Sequence, residues 1–542
     1  MYPGHVREDG GPPLVTSARV HARNLLANWV GHGANLVVMF FLSPFVIHTL
    51  GPTEYGIWSL LNVLAGYMGI MDLGVRASTG RHIILYLGKG DHHAVDRTVR
   101  TGLGFYSVVG LVVLLAGVAL GWVFPTFFRS VPESYHGLVR FLLPLMALNL
   151  WLSAWASVCS SVLTAHERFD LARGIDFAIL AARTVGTVLV LRWGFALPGL
   201  VMVVLACNIL ALACNRALAR RIYPRLRLWP LSLDRVRVRE LLGYGIGAFV
   251  SSISLTIIGQ TDLVVAGAAI GVSAVTVYSV GAMLVYYSQT FLRHINATLF
   301  PSIQKAVARG ETGSTRWLFL RAGRLAMLFG VLVYTGLIVF AGPFIRLWMH
   351  GPKFGDESVR QAATVMGILA ATKLPLLFVG ASRFVLNAMG YVRLTAAIVA
   401  LEAVLNLGLS LVFVLILNWG LAGIAGGTLA ARLLVGTFIV PWHACRRLGM
   451  SWWRYVVRQG GIELLACSVT LALFLAIRGL LPAASWGWFA LQVASAAAGY
   501  SVIAWFVLVP AEDRSRVLTR LRRGGSVRAV PSGETKLDKV AP

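Results

Sequence analysis

The chain has 542 residues, of which 57% are hydrophobic and only 13% are charged, and its mean hydropathy is +0.74. These proportions lie far outside the range of soluble globular domains and exclude that class. The formal net charge of +26 would suit a nucleic-acid binder, but no recognition motif accompanies it, so membrane topology is the expected reason for the charge.

Apolar runs of about 20 residues, each long enough to cross the hydrocarbon core, recur along the chain. These runs do not alternate between polar and apolar residues as the strands of a transmembrane β-barrel do. The sequence therefore predicts an all-α polytopic membrane protein with about fourteen transmembrane helices. The predicted limits are 25–48, 55–75, 101–122, 139–164, 174–193, 196–216, 243–268, 273–294, 324–345, 361–386, 395–418, 420–440, 461–480 and 486–509.

One block of about 200 residues occurs twice, head to tail, which is typical of a transporter with a cleft between its halves. Each echo is short, but the order is constant and the spacing is nearly so. The matching segments are 50–59 (LGPTEYGIWS) with 270–279 (IGVSAVTVYS), Val139-Arg140 with Val359-Arg360, 162–165 (VLTA) with 385–388 (VLNA), and Trp193-Gly194 with Trp419-Gly420.

Each copy contains six predicted spans, so both copies enter the membrane the same way round and a pseudo-twofold axis along the membrane normal should relate them. The last two spans lie outside the repeat. The expected organisation is a flexible cytoplasmic N-terminus at 1–20, a first six-helix lobe at 21–220, a basic cytoplasmic linker at 221–240, a second six-helix lobe at 241–445, helices 13 and 14 at 446–510, and a disordered cytoplasmic tail at 511–542.

Basic residues are concentrated in alternate loops. The stretch Arg216–Arg239 holds eight arginines, whereas the loops at Gly51, Ile270 and Asn418 carry no lysine or arginine. By the positive-inside rule, the N-terminus, the linker and the C-terminus face the cytoplasm. The five cysteines form no CxxC motif, so neither a disulfide nor a metal site is expected.

Short motifs at the helix junctions resemble those of a known transporter family. The segments 50–58 (LGPTEYGIW), 71–74 (MDLG), 165–169 (AHERF) and 271–279 resemble the oligosaccharide flippases of bacterial polysaccharide export. These flippases belong to the multidrug/oligosaccharidyl-lipid/polysaccharide exporter superfamily, and the resemblance covers roughly residues 20–445. It implies two parallel six-helix lobes in a V around a central cavity, with two C-terminal helices added.

The resemblance also implies a function. We expect a flippase in the bacterial cytoplasmic (inner) membrane that moves a polyprenyl diphosphate-linked oligosaccharide from the inner to the outer leaflet by alternating access. Such a protein would serve lipopolysaccharide or exopolysaccharide biosynthesis. Its expected partners are the lipid-linked oligosaccharide, membrane lipids, and a polysaccharide polymerase with its export machinery. No cofactor is expected, and Na⁺, H⁺ or the membrane potential would supply the drive.

Two alternatives stay open at this point. One is a multidrug/cation antiporter of the same superfamily, which would favour acidic residues in its cavity. The other is a membrane glycosyltransferase or polymerase, which would need catalytic groups on a sizeable outer loop. No GxxxxGK[ST] motif is present, and this argues against ATP hydrolysis by the chain.

Charged side chains at mid-membrane depth are the first candidates for substrate binding, because an intramembrane charge is costly and usually functional. Arg183 lies near the middle of predicted helix 5, and Lys373 lies midway along predicted helix 10, two residues before Pro375. We expect both to attract the substrate diphosphate. The alternatives are structural pairs, of Arg183 with Asp176 or a neighbouring helix and of Lys373 with an acid, for example Glu402.

Predicted helix 1 carries a polar stripe. Asn24, Asn28 and Asn35 fall on one face, with His32 beside them. This stripe can bond sugar hydroxyls, so the four residues are further substrate-binding candidates. Hydrogen bonds between helices are the alternative.

Two carboxylates are candidates for ion coupling. Asp262 in predicted helix 7 and Glu402 in predicted helix 11 can hold Na⁺ or exchange a proton, although a salt bridge or a hydrogen-bonded acid is the more ordinary explanation. Asp72 and Arg76 close predicted helix 2 at the expected cytoplasmic face and are candidates for a gate. A charged helix end at the membrane interface is the ordinary alternative.

Overall fold

The computed structural model describes residues 18–72, 74–226, 228–229, 231–243, 246–297, 299–511, 513–515 and 519. This part of the chain is almost entirely helical. The helices are α1 Ala18–Leu50, α2 Pro52–Met68, α3 Val75–Gly88, α4 His92–Phe127, α5 His136–Ala165, α6 Phe169–Arg192, α7 Ala196–Ile222, α8 Arg235–Gly243, α9 Ile246–Val265, α10 Val272–Ala297, α11 Phe300–Ala308, α12 Thr312–Met349, α13 Asp356–Ala371, α14 Leu376–Ala388, α15 Val392–Leu411, α16 Gly420–Ala431, α17 Val440–Arg447, α18 Trp452–Tyr455, α19 Gly461–Leu480 and α20 Trp486–Val507.

Eleven helices in the described residues are long and apolar enough to cross a membrane, fewer than the fourteen spans that hydropathy predicts. The other three predicted spans fall on α2, α10 and the pair α13–α14. Of these, α2 has only 17 residues, α10 contains several tyrosines and serines, and the α13–α14 pair is interrupted, so they differ from the eleven in length or composition. The predicted flexible ends 1–20 and 511–542 lie almost entirely outside the described residues.

Equivalent helices pack in the same pairs in the two halves, here defined as α1–α7 and α9–α17. In the first half α5 packs on α4 and α7, and α6 packs on α7 and α1. In the second half α13 packs on α12 and α16, and α15 packs on α16 and α9. The helices α19 and α20 pack on each other and on α12, outside this pattern.

Two glycine turns mark the start of equivalent helices. Gly51 precedes α2 with φ 87°, and Gly271 precedes α10 with φ 147°, a region that side chains with a Cβ disfavour. The turns at 193–195 and 418–420 lie at the same end of the molecule as the turns at Gly51 and Gly271. We call this end the turn side. The opposite end is called the basic side and is marked by the turns 89–91, 309–311 and 389–391.

The two halves meet chiefly along α2, α9 and α10, from the turn side inwards to the last turn of α2. The Thr276 hydroxyl donates to the Pro52 carbonyl at 2.6 Å, and the Tyr67 hydroxyl lies 2.6 Å from Thr261 Oγ1. A Cβ on Gly56 would overlap the Val272 carbonyl oxygen, so glycine is needed for this close approach. The seam between the halves is therefore narrow and partly made of backbone.

The non-helical part of the connection between the halves is shorter than the predicted linker 221–240. The helix α7 continues to Ile222, and α8 covers the end of the segment from Arg235. Leu226 and Leu228 are buried, and the Ser232 backbone lies against Gly104 of α4. Apolar side chains within the basic segment thus bind it to the first half.

Candidate substrate cavity in the second half

A cavity of about 510 Å³ lies within the second half, among α9, α10, α12, α14 and α16. We call it the second-half cavity. Three cationic side chains, Lys373, Arg383 and Arg432, line it together with neutral polar groups. The main neutral polar residues of the lining are Tyr286, Gln289, Thr290, Asn387 and Thr428.

Lys373 reaches the cavity because the helix breaks at its position. The helix α13 ends at Ala371 and α14 begins at Leu376, as expected where Pro375 lacks a backbone donor. The lysine is buried, with 6% of its surface exposed, and its Nζ lies 5.8 Å from the centroid of the Tyr286 ring. The aromatic face stabilises a cation at that distance. The structure thus places Lys373 on the wall of a polar cavity within the second half.

Glu402 lies between two arginines. Its Oε2 accepts a hydrogen bond from Arg383 Nη2 at 2.7 Å, and its Oε1 lies 2.9 Å from Arg432 Nε. Glu402 was the example of an acidic partner for Lys373, and both of its carboxylate oxygens face guanidinium groups instead. Three cations against two carboxylates, Glu402 and the neighbouring Asp262, leave the cavity with a small excess of positive charge.

Arg432 owes its position to an irregular helix. It begins a π-helical segment, Arg432–Ile439, that follows α16 directly. Wide turns of this kind often occur at functional sites, because they change the direction of a side chain within an otherwise regular helix. Only 6% of the Arg432 side chain is exposed, whereas 24% of the Arg383 side chain is, so Arg383 is the more accessible of the two.

Asp262 belongs to a buried cluster of oxygen atoms next to the cavity. The Tyr278 hydroxyl donates to its Oδ2 at 2.6 Å, and the Thr428 hydroxyl lies 3.1 Å from the same atom. Asn406 Nδ2 donates to Thr428 Oγ1 at 2.7 Å. The other amide atom, Asn406 Oδ1, is buried and has no hydrogen-bond partner in the structure. Carboxylate, hydroxyl and amide oxygens are the ligands that hard cations prefer.

Arg183 lies in the first half, in a much smaller space. It is half-buried and lines a pocket of about 90 Å³ together with Ser43, Tyr55 and Thr187. The predicted alternative pair with Asp176 is wrong, since Asp176 Oδ2 lies 3.1 Å from Arg173 Nη1 and both groups are exposed. Arg183 and Lys373 therefore line separate pockets.

The remaining candidates are only partly described. Asn35 of α1 is exposed, while the side chains of Asn24, Asn28 and His32 lie outside the described residues. The Asp72 side chain also lies outside them, and Arg76 is exposed beside a pocket of about 70 Å³. The substrate and gate roles of these six residues stay predictions.

Sequence reasoning missed Arg383, Arg432, Thr428 and Asn406. The two arginines lie inside the predicted spans 361–386 and 420–440, so the rule that singled out Arg183 and Lys373 applies to them as well. No comparable signal marks Thr428 or Asn406, because hydroxyls and amides are frequent in membrane helices and bond other helices there.

Comparison with known proteins identifies the family. The family model described as lipid II flippase MurJ matches residues 90–495, which is most of the chain. A putative O-antigen transporter from Shigella flexneri is 21% identical over 436 residues, covering 78% of this chain and 96% of its own length.

Two solved structures share the fold. An inward-facing multidrug resistance MATE family transporter of the MOP superfamily matches with a TM-score of 0.67 and 15% identity, covering 76% of this chain and 94% of its own. The lipid II flippase MurJ in an inward closed conformation matches with a TM-score of 0.64 and 13% identity, covering 92% of this chain and 100% of its own. The protein therefore belongs to the MurJ family, within the MOP superfamily of secondary transporters, and is an all-helical, multi-pass membrane protein with a MATE- and MurJ-like fold.

Proposed function

We propose that the protein is a flippase that turns a polyprenyl diphosphate-linked oligosaccharide from the inner to the outer leaflet of a bacterial inner membrane. The cationic lining of the second-half cavity carries this proposal. Lys373, Arg383 and Arg432 converge on a volume of about 510 Å³, within the usual size of ligand sites. An anionic diphosphate costs several kcal/mol to bring into hydrocarbon alone, and paired guanidinium and ammonium donors offset that cost.

The neutral lining of the cavity suits the sugar. Gln289, Thr290 and Asn387 offer amide and hydroxyl groups that can bond sugar hydroxyls. Asn387 is exposed in the last turn of α14, so this end of the cavity lies near the basic side, the expected cytoplasmic face. The lipid chain would stay in the bilayer while the head group enters from that side.

The position of the seam between the halves supports alternating access. The halves are in contact at the turn side, through pairs such as Thr276 with Pro52, while the cavity reaches towards the basic side. This arrangement corresponds to a state that loads substrate from the cytoplasm. Opening the turn-side seam would then expose the substrate to the outer leaflet.

The oxygen cluster at Asp262 is the better candidate for ion coupling. Asp262, Thr428 and Asn406 Oδ1 form a set of oxygen atoms that fits Na⁺ or a transferable proton. Thr428 also lines the second-half cavity, which gives an ion a direct way to influence the substrate site. Glu402 is less suited, because two arginines already balance its charge.

The relatives support an export role. The putative O-antigen transporter covers most of the chain, and lipopolysaccharide or exopolysaccharide biosynthesis is the process we propose, with a polysaccharide polymerase and export machinery downstream. A multidrug/cation antiporter is the second candidate, because a MATE family transporter shares the fold. The excess of positive charge in the cavity disfavours a cationic drug there.

Transport in proteoliposomes tests the proposal. The wild-type chain should move a fluorescent lipid-linked oligosaccharide between leaflets, and Lys373→Gln should slow this movement about ten-fold or more, the effect of losing one charge-assisted hydrogen bond. Lys305→Gln is the matched control, since Lys305 is an exposed cation on α11.

Two outcomes would contradict the flippase. One is a leaflet distribution that the wild-type protein does not change. The other is accumulation of a cationic dye by the same vesicles with no movement of the lipid-linked sugar, which would support the antiporter. Equal rates for Lys373→Gln and Lys305→Gln would remove Lys373 from the site.

A further inference from the structure

A second large cavity lies at the turn side, between α12, α13 and α19, and its volume is about 770 Å³. We call it the arginine groove. Arg346 of α12, Arg360 of α13 and Arg478 of α19 all line it. The groove shares no lining residue with the second-half cavity. It joins the second half of the molecule to the appended helix α19.

Arg478 is held in the groove by a hydrogen bond to a backbone carbonyl of α12 that has no partner within its own helix. Pro343 inside α12 has no N–H, so the Val339 carbonyl four residues earlier loses its helical partner. Arg478 Nη1 donates to that carbonyl at 2.8 Å. A guanidinium group has five N–H donors, and this bond uses one of them. The bond fixes the side chain across the gap between α19 and α12.

The other two arginines have acidic neighbours. Arg346 Nη2 lies 2.9 Å from Asp356 Oδ1, and Arg360 pairs with Glu357. Arg478 bonds a neutral carbonyl instead, so it adds positive charge that these two carboxylates do not balance. The groove consequently carries an excess of positive charge, as the second-half cavity does.

All three arginines lie at one level. Arg346 is in the last turn of α12, Arg360 is near the start of α13, and Arg478 is in the last turn of α19. In a protein that spans the membrane, this level corresponds to the boundary between hydrocarbon and head groups. An anionic group beside them would be a head group rather than a solute deep in the bilayer.

The floor of the groove is apolar and combines small residues with the larger side chains of Ile338 and Ile368. Ala341, Gly342, Ala363 and Gly367 line it beneath the arginines. A Cβ added to Gly367 would meet no atom within 4 Å, and one added to Gly342 would lie 4.0 Å from Arg478 Nη2. The floor therefore leaves room for an acyl or prenyl chain next to the cationic rim.

We propose that the arginine groove binds the phosphate group of a membrane lipid, with the lipid chain along the apolar floor. Guanidinium groups match phosphate oxygens with paired donors, and three of them from three helices surround one space. The phosphate has two sources, an anionic phospholipid or the polyprenyl carrier. Binding at this groove would also tie α19 to α12 and α13.

Lipid affinity of the full-length chain tests this proposal. Native mass spectrometry of the detergent-solubilised protein would measure the binding of phosphatidylglycerol and, separately, of polyprenyl phosphate. Arg478→Gln should weaken the preferred lipid about ten-fold, because one charge-assisted contact is lost. Gly367→Leu should weaken it as well by filling the floor, without touching a charge. Arg192→Gln is the matched control, an exposed arginine at the turn-side end of α6.

The two lipids identify the source. Tighter binding of phosphatidylglycerol, with the expected loss in Arg478→Gln, identifies a phospholipid site, and tighter binding of polyprenyl phosphate identifies a carrier site. Wild-type affinity in Arg478→Gln or in Gly367→Leu overturns the proposal, as does equal loss in the Arg192→Gln control. The measurement involves no translocation, so its failure is separate from a failure of the flippase proposal.

Discussion

The equivalent helices α6 and α15 each carry a carboxylate, but the two carboxylates differ in burial and in their partners. Asp176 on α6 is exposed and pairs with Arg173 one turn away, whereas Glu402 on α15 is buried between two arginines from α14 and the segment after α16. The first half has one arginine at a pocket of about 90 Å³, and the second half has three cations at about 510 Å³. Similar helix packing thus supports different chemistry.

This difference shows that the sequence repeat predicts the backbone features of the two halves but not the positions of their buried charges. Backbone features repeat, because turns and helix contacts constrain the chain directly: Gly51 and Gly271 both have positive φ before equivalent helices. Buried charges do not repeat, because each needs a partner from another helix. The two halves share a scaffold, and the second half concentrates the ionic groups of the candidate site.

The largest expected effect would sharpen this contrast between the carboxylates. Glu402→Gln removes the negative charge between Arg383 and Arg432 and leaves one buried and one partly buried guanidinium group without that partner. We expect a loss of about 3–5 kcal/mol in the free energy of unfolding, because breaking a buried ion pair from one side is strongly destabilising. Asp176→Asn, which breaks an exposed pair, should cost under about 1 kcal/mol.

Thermal and denaturant unfolding of the purified proteins would measure both changes. Similar losses in Glu402→Gln and Asp176→Asn would mean that Glu402 is not the centre of a buried network. The double variant Glu402→Gln/Arg432→Gln should recover part of the stability, since it removes one of the two uncompensated charges.

The sequence predicted some of this site and could not have predicted the rest. Intramembrane charge was enough to select Lys373, Asp262 and Glu402, because charge in a span is visible in the sequence. Which cation meets Glu402 depends on the rotation of three helices, and no pattern in the chain fixes that rotation. The arginines at Glu402 were therefore not among the partners that the sequence suggested.

The same limit explains Arg183 and Asp176. A spacing of seven residues puts both on one face of α6, which made the pair plausible. Asp176 pairs instead with Arg173, three residues before it, where the side chains are close on the helix surface. At the level of the fold, hydropathy predicted fourteen spans, and eleven helices of the described residues are long and apolar enough to cross a membrane. An interruption such as Thr372–Pro375 divides one predicted span into two shorter helices.

A smaller effect concerns the seam that joins the two unlike halves. Gly56→Ala should place a methyl group against the Val272 carbonyl and push α2 away from the start of α10. Overpacking of this kind costs about 1–3 kcal/mol, which should appear as a lower unfolding temperature. Gly174→Ala on α6 is the control, because a Cβ there meets no atom within 4 Å.

The two alanine variants differ only in what surrounds the added methyl group. Helix propensity favours alanine over glycine by about 1 kcal/mol at each position, so Gly174→Ala should be unchanged or more stable. If Gly56→Ala is as stable as Gly174→Ala, then the halves do not approach as closely as the seam indicates.

The smallest expected effect separates the two cationic pockets directly. Arg183→Gln should slow the movement of the lipid-linked sugar about two- to five-fold, the range of an interaction worth about 0.5–1 kcal/mol. Lys373→Gln should slow it about ten-fold or more. The two pockets differ in volume. A space of about 90 Å³ beside Arg183 is too small for a sugar diphosphate, whereas the second-half cavity is several times larger.

In the small pocket Arg183 would act on the substrate through its charge at a distance rather than by direct contact, and added salt should therefore weaken its effect more than that of Lys373. Initial flipping rates of the two variants at low and high ionic strength would measure this. An equal or greater loss in Arg183→Gln at both salt concentrations would shift the substrate site to the first half, and the contrast between the halves would then be reversed.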